Sequence, residues 1–200
     1  MTNRATPNNS RYIPFTQQKY CCVPTAMLMI MHRNQIPLLP AEELGVYFGL
    51  TVPPEDENLF YNVKVSATPP SGAGYGTSIK NNDPNEVFAK LGIPLAVSFV
   101  LADKIFSTDD LIQKLLEIEK SDEDAIICLN DGVTFGEFKP FSGHAVIFDR
   151  IIDGKIRVVD PGTSRAKWRT LDAKIVFDAI QTHGVKHHGG IWKFIRKGTI

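Results

Sequence analysis

Two hydrophobic periods divide this chain. Helical spacing dominates its first half, and short β-type runs between turn signals dominate its second. Met27, Leu28, Ile30 and Met31 mark a helix over 23–34, with Pro24 in the first turn, where a missing N–H is harmless. Ala41, Leu44 and Phe48 mark a second over 40–48, stopped by Gly49. Further helices are predicted over 84–91, over 108–120 with Ser107 as its cap, and over 172–182. Strands are predicted over 95–101, 125–129, 144–151, 155–159 and 190–196, the middle pair joined at Asp153-Gly154. Helices first and strands later favour an α+β fold with an antiparallel sheet over alternating βαβ units. Residues 1–13 read as a loose polar arm. Residues 14–200 read as one domain, with a helical lobe over about 14–92 and a sheet lobe over about 93–200. Residues 51–84, rich in proline and glycine, read as a long surface loop.

Charge narrows the function classes. Lys plus Arg and Asp plus Glu each number 22, for zero formal net charge, and the balance holds within each half. A nucleic-acid partner, which normally demands a basic excess, is not expected. A membrane-spanning helix needs about 20 consecutive apolar residues. No run approaches that, and residues 1–11 are too polar for a secretory signal, so a cytoplasmic location is expected. The cysteines, Cys21, Cys22 and Cys128, are odd in number and lack framework spacing, so a disulfide scaffold is not expected.

Cys22 immediately precedes the first predicted helix. Unsatisfied N–H groups and the positive end of the dipole would stabilise a thiolate there. Cys21 would point elsewhere, and Cys128, in an apolar strand, reads as core. A nucleophilic thiol needs a base, and His144 stands at the head of a strand whose hairpin partner ends in Asp160. An acid in that position fixes the imidazole tautomer and stabilises the imidazolium. The hairpin's phase decides whether the two can meet. A two-residue Asp153-Gly154 loop sets Asp160 opposite Ile147 and points it away from His144. A three-residue loop, 152–154, sets it opposite Val146, on the face of His144 and roughly 7–8 Å away diagonally. The pairing of His144 with Asp160 therefore predicts a bulge at Gly154. Gln17 or Gln18 could supply an oxyanion donor beside the Cys22 N–H.

Phe15-Thr16-Gln17-Gln18-Lys19-Tyr20-Cys21-Cys22-Val23-Pro24-Thr25 resembles the Gln…Cys-Gly-Pro-Thr/Ala signature of papain-like cysteine peptidases. The bacteriocin-processing, or double-glycine-leader, peptidases and their bacterial relatives are the group it is most similar to. Gly143-His144-Ala145-Val146-Ile147 and Val159-Asp160-Pro161 resemble that family's second block. Val23 replaces the usual Gly, Cys21 replaces the usual Asp or neutral residue, and Gln17 sits one residue closer than the commonest spacing. The resemblance implies a helical lobe packed on an antiparallel sheet and a Cys22–His144–Asp160 triad with Gln17 at the oxyanion. It implies a peptide or protein substrate and no metal or organic cofactor. Acyl transfer or amidase chemistry at the same site, and a non-catalytic peptide-binding module, are the competing expectations.

Other motifs carry less. Residues 72–77 lack the lysine and flanking strand of a phosphate loop and read as a flexible loop near the substrate groove. His183, His187 and His188 read as a solvated turn, without the partners a metal site requires.

Overall fold

A computed structural model describes residues 9–136 and 143–198. In chain order the elements are α1 (Cys22–Arg33), α2 (Ala41–Tyr47), α3 (Pro84–Leu91), β1 (Leu95–Leu101), α4 (Thr108–Lys120), β2 (Asp124–Asn130) and α5 (Asp131–Phe135). They continue with β3 (Gly143–Ile152), β4 (Lys155–Asp160), β5 (Lys167–Leu171), α6 (Ala173–His183) and β6 (Gly190–Arg196). Local chemistry sets many of these limits. Asp83 accepts from the Asn85 N–H ahead of Pro84, and Gly92 ends α3 in the left-handed conformation. Ser107 and Asp172 cap α4 and α6 in the same manner.

The strands form one antiparallel sheet in the order β1-β6-β2-β3-β4-β5. Strand alternation divides the apolar side chains between two cores. Ile126, Cys128, Ala145, Ile147 and Val159 pack with α1, α2 and α3 on one face. Ile127, Leu129, Val146, Phe148 and Val158 pack with α4 and α6 on the other. β2 is buried along its whole length because both its faces are covered. α1 is buried from Val23 to Met31, which explains a helix apolar on nearly every side. Each such side chain contributes roughly 1.5–3 kcal/mol on burial. Among the described residues no helix is long and apolar enough to cross a membrane.

Several expectations need correction. Residues 1–8 of the predicted arm lie outside the described residues, but its end is not loose. Tyr12 is 3% exposed and donates to Asp124, while the Arg11 N–H donates to Asp149 at 2.8 Å. The stretch 51–84, read as a long surface loop, holds short 3-10 turns at Pro54–Phe60 and Ile79–Asn81, and Thr51 bridges to both Ser66 and Gly76. α5, barely more than one turn, and β5, a half-exposed edge strand, were absent from the predicted elements.

The β3–β4 hairpin carries the most consequential correction. Its turn is a plain two-residue Asp153-Gly154 loop, with φ of +50° and +73° and Ile152 paired to Lys155. No bulge lies at Gly154. The register instead shifts between Phe148 and Arg150, leaving Asp149 as the extra residue. Beyond the shift Phe148 pairs with Val158 and Ile147 with Val159. The next step sets Asp160 against Val146, so it reaches the predicted face by a different route. Asp149 holds the irregularity. Its carboxylate is fully buried and accepts from Arg157 Nε at 2.5 Å and from the Arg11 N–H.

Candidate active site

The sulfur of Cys22 sits on the first residue of α1, with Cys21 as the N-cap. Burial pushes its thiol up, but the hydrogen bond to His144, the charge of that ring, and the Ala145 and Val23 N–H groups outweigh burial. The thiol is held below its ordinary value. Cys21 fares oppositely. It packs with Leu50, Val52 and Phe60, and burial together with the charges of Cys22 and Glu42 pushes it up to about 12. Cys128 is buried on β2 and raised well above the thiol range by burial. Of the three thiols, Cys22 is the one held below its ordinary value.

His144, the second residue of β3, holds its Nε2 2.9 Å from Asp160 Oδ1. That leaves Nδ1 for Cys22. Burial lowers the imidazole's basicity, while hydrogen bonds and charge from Asp160 and Cys22 raise it more, so His144 stays above the ordinary imidazole value. Asp160 ends β4 and is 3% exposed. Burial alone would raise its carboxyl, but His144, Arg169 and the Gly162 N–H bring it down to about 2.

Two partners escaped the sequence reading. Arg169 on β5 pairs opposite Val158, one diagonal step from Asp160, and donates from Nε to Oδ2 at 2.7 Å. Its guanidinium lies 4.0 Å from the centroid of Phe135, whose ring meets His144 edge-on at 6.1 Å. The available signal was the Trp168-Arg169-Thr170 run after the Pro161-Gly162 turn, whose β propensity suits an edge strand.

The structure separates the two glutamines. Gln17 lines the cleft with Cys22 and His144, and its backbone N–H donates to the Pro161 carbonyl at 2.7 Å, fastening it to the end of β4. The side-chain amide of Gln17 makes no hydrogen bond to another described residue, and its Oε1 is buried. Gln18 turns away and donates its amide to the Leu59 carbonyl.

The cleft has a volume of about 370 Å³. Residues 71–80 form one wall, which puts the glycine-rich segment beside Cys22. His183, His187 and His188 line it too, so they are not the solvated turn expected. Burial, with the charges of His187 and His188, lowers His183 to about 4. Its ring fills the place a side chain at Gly143 would take: a Cβ there would meet His183 Cε1 at 2.5 Å. That contact accounts for a glycine directly before His144. Among the described residues no group of three or more His, Cys, Asp or Glu is arranged to hold a metal ion.

No family model matches this chain, nor does any curated protein. Solved structures do match. A "putative C39-like peptidase" from Bacillus anthracis aligns over 94% of this chain and 96% of its own, with 14% identity and a TM-score of 0.56. A double-glycine motif protease from an AMS/PCAT transporter, crystallised with the leader peptide, aligns over 98% of this chain and 97% of its own, with 13% identity and a TM-score of 0.49. The first likeness establishes the fold. It is the α+β, papain-like architecture, a helical lobe packed on an antiparallel sheet, that the motifs around Cys22 and His144 imply.

Proposed function

We propose that this protein is a cysteine peptidase, with Cys22 as nucleophile, His144 as base and acid, Asp160 as the residue orienting His144, and Gln17 as oxyanion donor. One observation carries the reading: Cys22, at the start of α1, lines the same cleft as His144, whose Nε2 is held 2.9 Å from the buried Asp160 carboxylate. The likeness in fold to a C39-like peptidase supports it.

The lowered thiol and raised imidazole favour a thiolate–imidazolium pair at neutral pH. The sulfur attacks a substrate carbonyl and the oxygen becomes an oxyanion, held by the Cys22 N–H and the Gln17 amide. His144 gives its proton to the leaving amine as the C–N bond breaks, which leaves a thioester on Cys22. The neutral imidazole then takes a proton from water. The resulting hydroxide attacks the thioester, and the acid product leaves with the thiolate restored.

Mass spectrometry of peptide-library digests by the wild type and by Cys22→Ala tests the reading. Cleavage that disappears with Cys22 is expected; no Cys22-dependent cleavage of any peptide overturns it. Iodoacetamide should also label Cys22 far faster than Cys128, with a rate rising at pH values below the ordinary thiol pKa of about 8.5. Slow, equal labelling of both would favour a binding module. Capture of the acyl group by added amines would assign transfer rather than hydrolysis.

A further inference from the structure

Resting on the peptidase reading above, we propose that the cleft recognises a carboxylate on its substrate through the ammonium groups of Lys80 and Lys186, which line it beside His187 and His188. The four residues come from two separate parts of the chain. Lys80 closes the 71–80 wall, where its Nζ donates to the Ser71 carbonyl at 3.4 Å. Lys186, His187 and His188 follow α6 in the short turn before β6. The two parts meet across the cleft: a Cβ built on Gly72 would lie 3.4 Å from Lys186 Nζ, so the ammonium lies against the glycine-rich wall.

Charge in the cleft is one-sided. Neither lysine forms an ion pair with a described residue, although eleven ion pairs join described residues elsewhere in this neutral chain. Asp131, at the start of α5, is the one carboxylate among the described residues lining the cleft. Lys80 and His187 lie close enough to His188 to lower its pKa, after burial as the larger cause. Gathering like charges is unfavourable unless an anion joins them. His188 is moreover held at φ +58°, with its carbonyl accepting from Trp192 Nε1 at 2.9 Å and its ring against Phe99. The backbone is therefore fixed where Lys80 approaches the turn that carries Lys186. A carboxylate in this position would make charge-assisted hydrogen bonds to the two ammonium groups. It could be the free C-terminus of a peptide or an acidic side chain.

NMR titration of the Cys22→Ala protein distinguishes these sources and does not depend on turnover. Three probes are compared: N-acetyl-glycylglycine, its C-terminal amide, and N-acetylglutamic acid α-amide. At least one of the two carboxylates should bind about tenfold more tightly than the neutral amide, and which one does so identifies the source. The preference should fall with added salt and vanish in Cys22→Ala/Lys80→Met/Lys186→Met. Both lysines are exposed, so these changes should leave the fold intact, as circular dichroism would verify. Equal affinities, no binding by either carboxylate, or a preference that survives the lysine changes would overturn the proposal. Loss of Cys22-dependent cleavage activity is a separate result, and it bears on the peptidase reading alone.

Discussion

Asp149 and Asp160 are two buried carboxylates of the same β-hairpin, and they sit in contrasting settings. Asp149, toward the turn, is fully buried and held by Arg157, the Arg11 N–H and Ser10. All its partners are groups with no accessible neutral form or fixed polar atoms, so the cluster is static. Asp160, at the open end, is nearly as buried but faces His144, a partner able to change its proton count, beside a cleft. The first aspartate sets the phase of the ladder and the second uses it. Without the extra residue at Asp149, the two-residue turn would point Asp160 away from His144. The Asp160–His144 pair thus depends on the Asp149–Arg157 pair further along the same hairpin.

That dependence can be broken from either end. The largest effect is expected from Asp160→Asn, which keeps the shape but loses the charge that holds the imidazolium. Peptide hydrolysis and Cys22 alkylation should fall by ~10²–10⁴-fold with the fold intact, as kcat/KM and circular dichroism would show. An unchanged rate would mean that His144 needs no orienting acid. Next comes Asp149→Ala, which strands the buried Arg157 guanidinium. It should destabilise the protein by about 3–5 kcal/mol in urea unfolding, and the folded fraction should still lose activity because the bulge has lost its anchor. Stability lost with activity per folded molecule unchanged would separate the two aspartates after all.

Gly143→Ala should cost about 1–3 kcal/mol by driving a Cβ into the His183 ring, and His183→Ala in the same chain should recover most of it. Additive losses would deny the contact. The smallest effect is expected from Arg169→Met. Asp160 must be ionised to hold His144, and its pKa near 2 keeps it so across the working range. Burial raises this carboxyl, and Arg169 is one of the groups opposing burial, so its removal should move the acid limb of the alkylation rate to higher pH with only a few-fold loss at neutrality. The same depression means that Asp160 stabilises the fold above the unfolded carboxyl pKa of about 3.9, a contribution lost as pH falls toward 2. In Arg169→Met that loss should begin at a higher pH.

Much of the fold was legible because its signals are local. α3, β1, α4 and β6 fall on the predicted spans, since caps, prolines and apolar runs act within a few residues. β5 was not, because an edge strand with half-exposed residues lacks a buried face to impose alternation. The site was legible in part for the same reasons. Cys22 at a helix start and His144 at a strand head are positions that the neighbouring sequence defines.

What the sequence by itself determined, then, is which groups could react and on which elements they ride: a thiol against a helix dipole, an imidazole and a carboxylate on paired strands, and glutamines upstream. Tertiary structure alone decided that Asp149 and not Gly154 supplies the bulge, since a buried Arg157 and the Arg11 backbone must converge on that carboxylate. It also placed Gln17 in the cleft and turned Gln18 away, attached Arg169 to Asp160, and drew Lys80 to the histidines after α6. Such contacts join residues far apart in the chain, and no local propensity encodes them; they follow from how two cores close on one sheet.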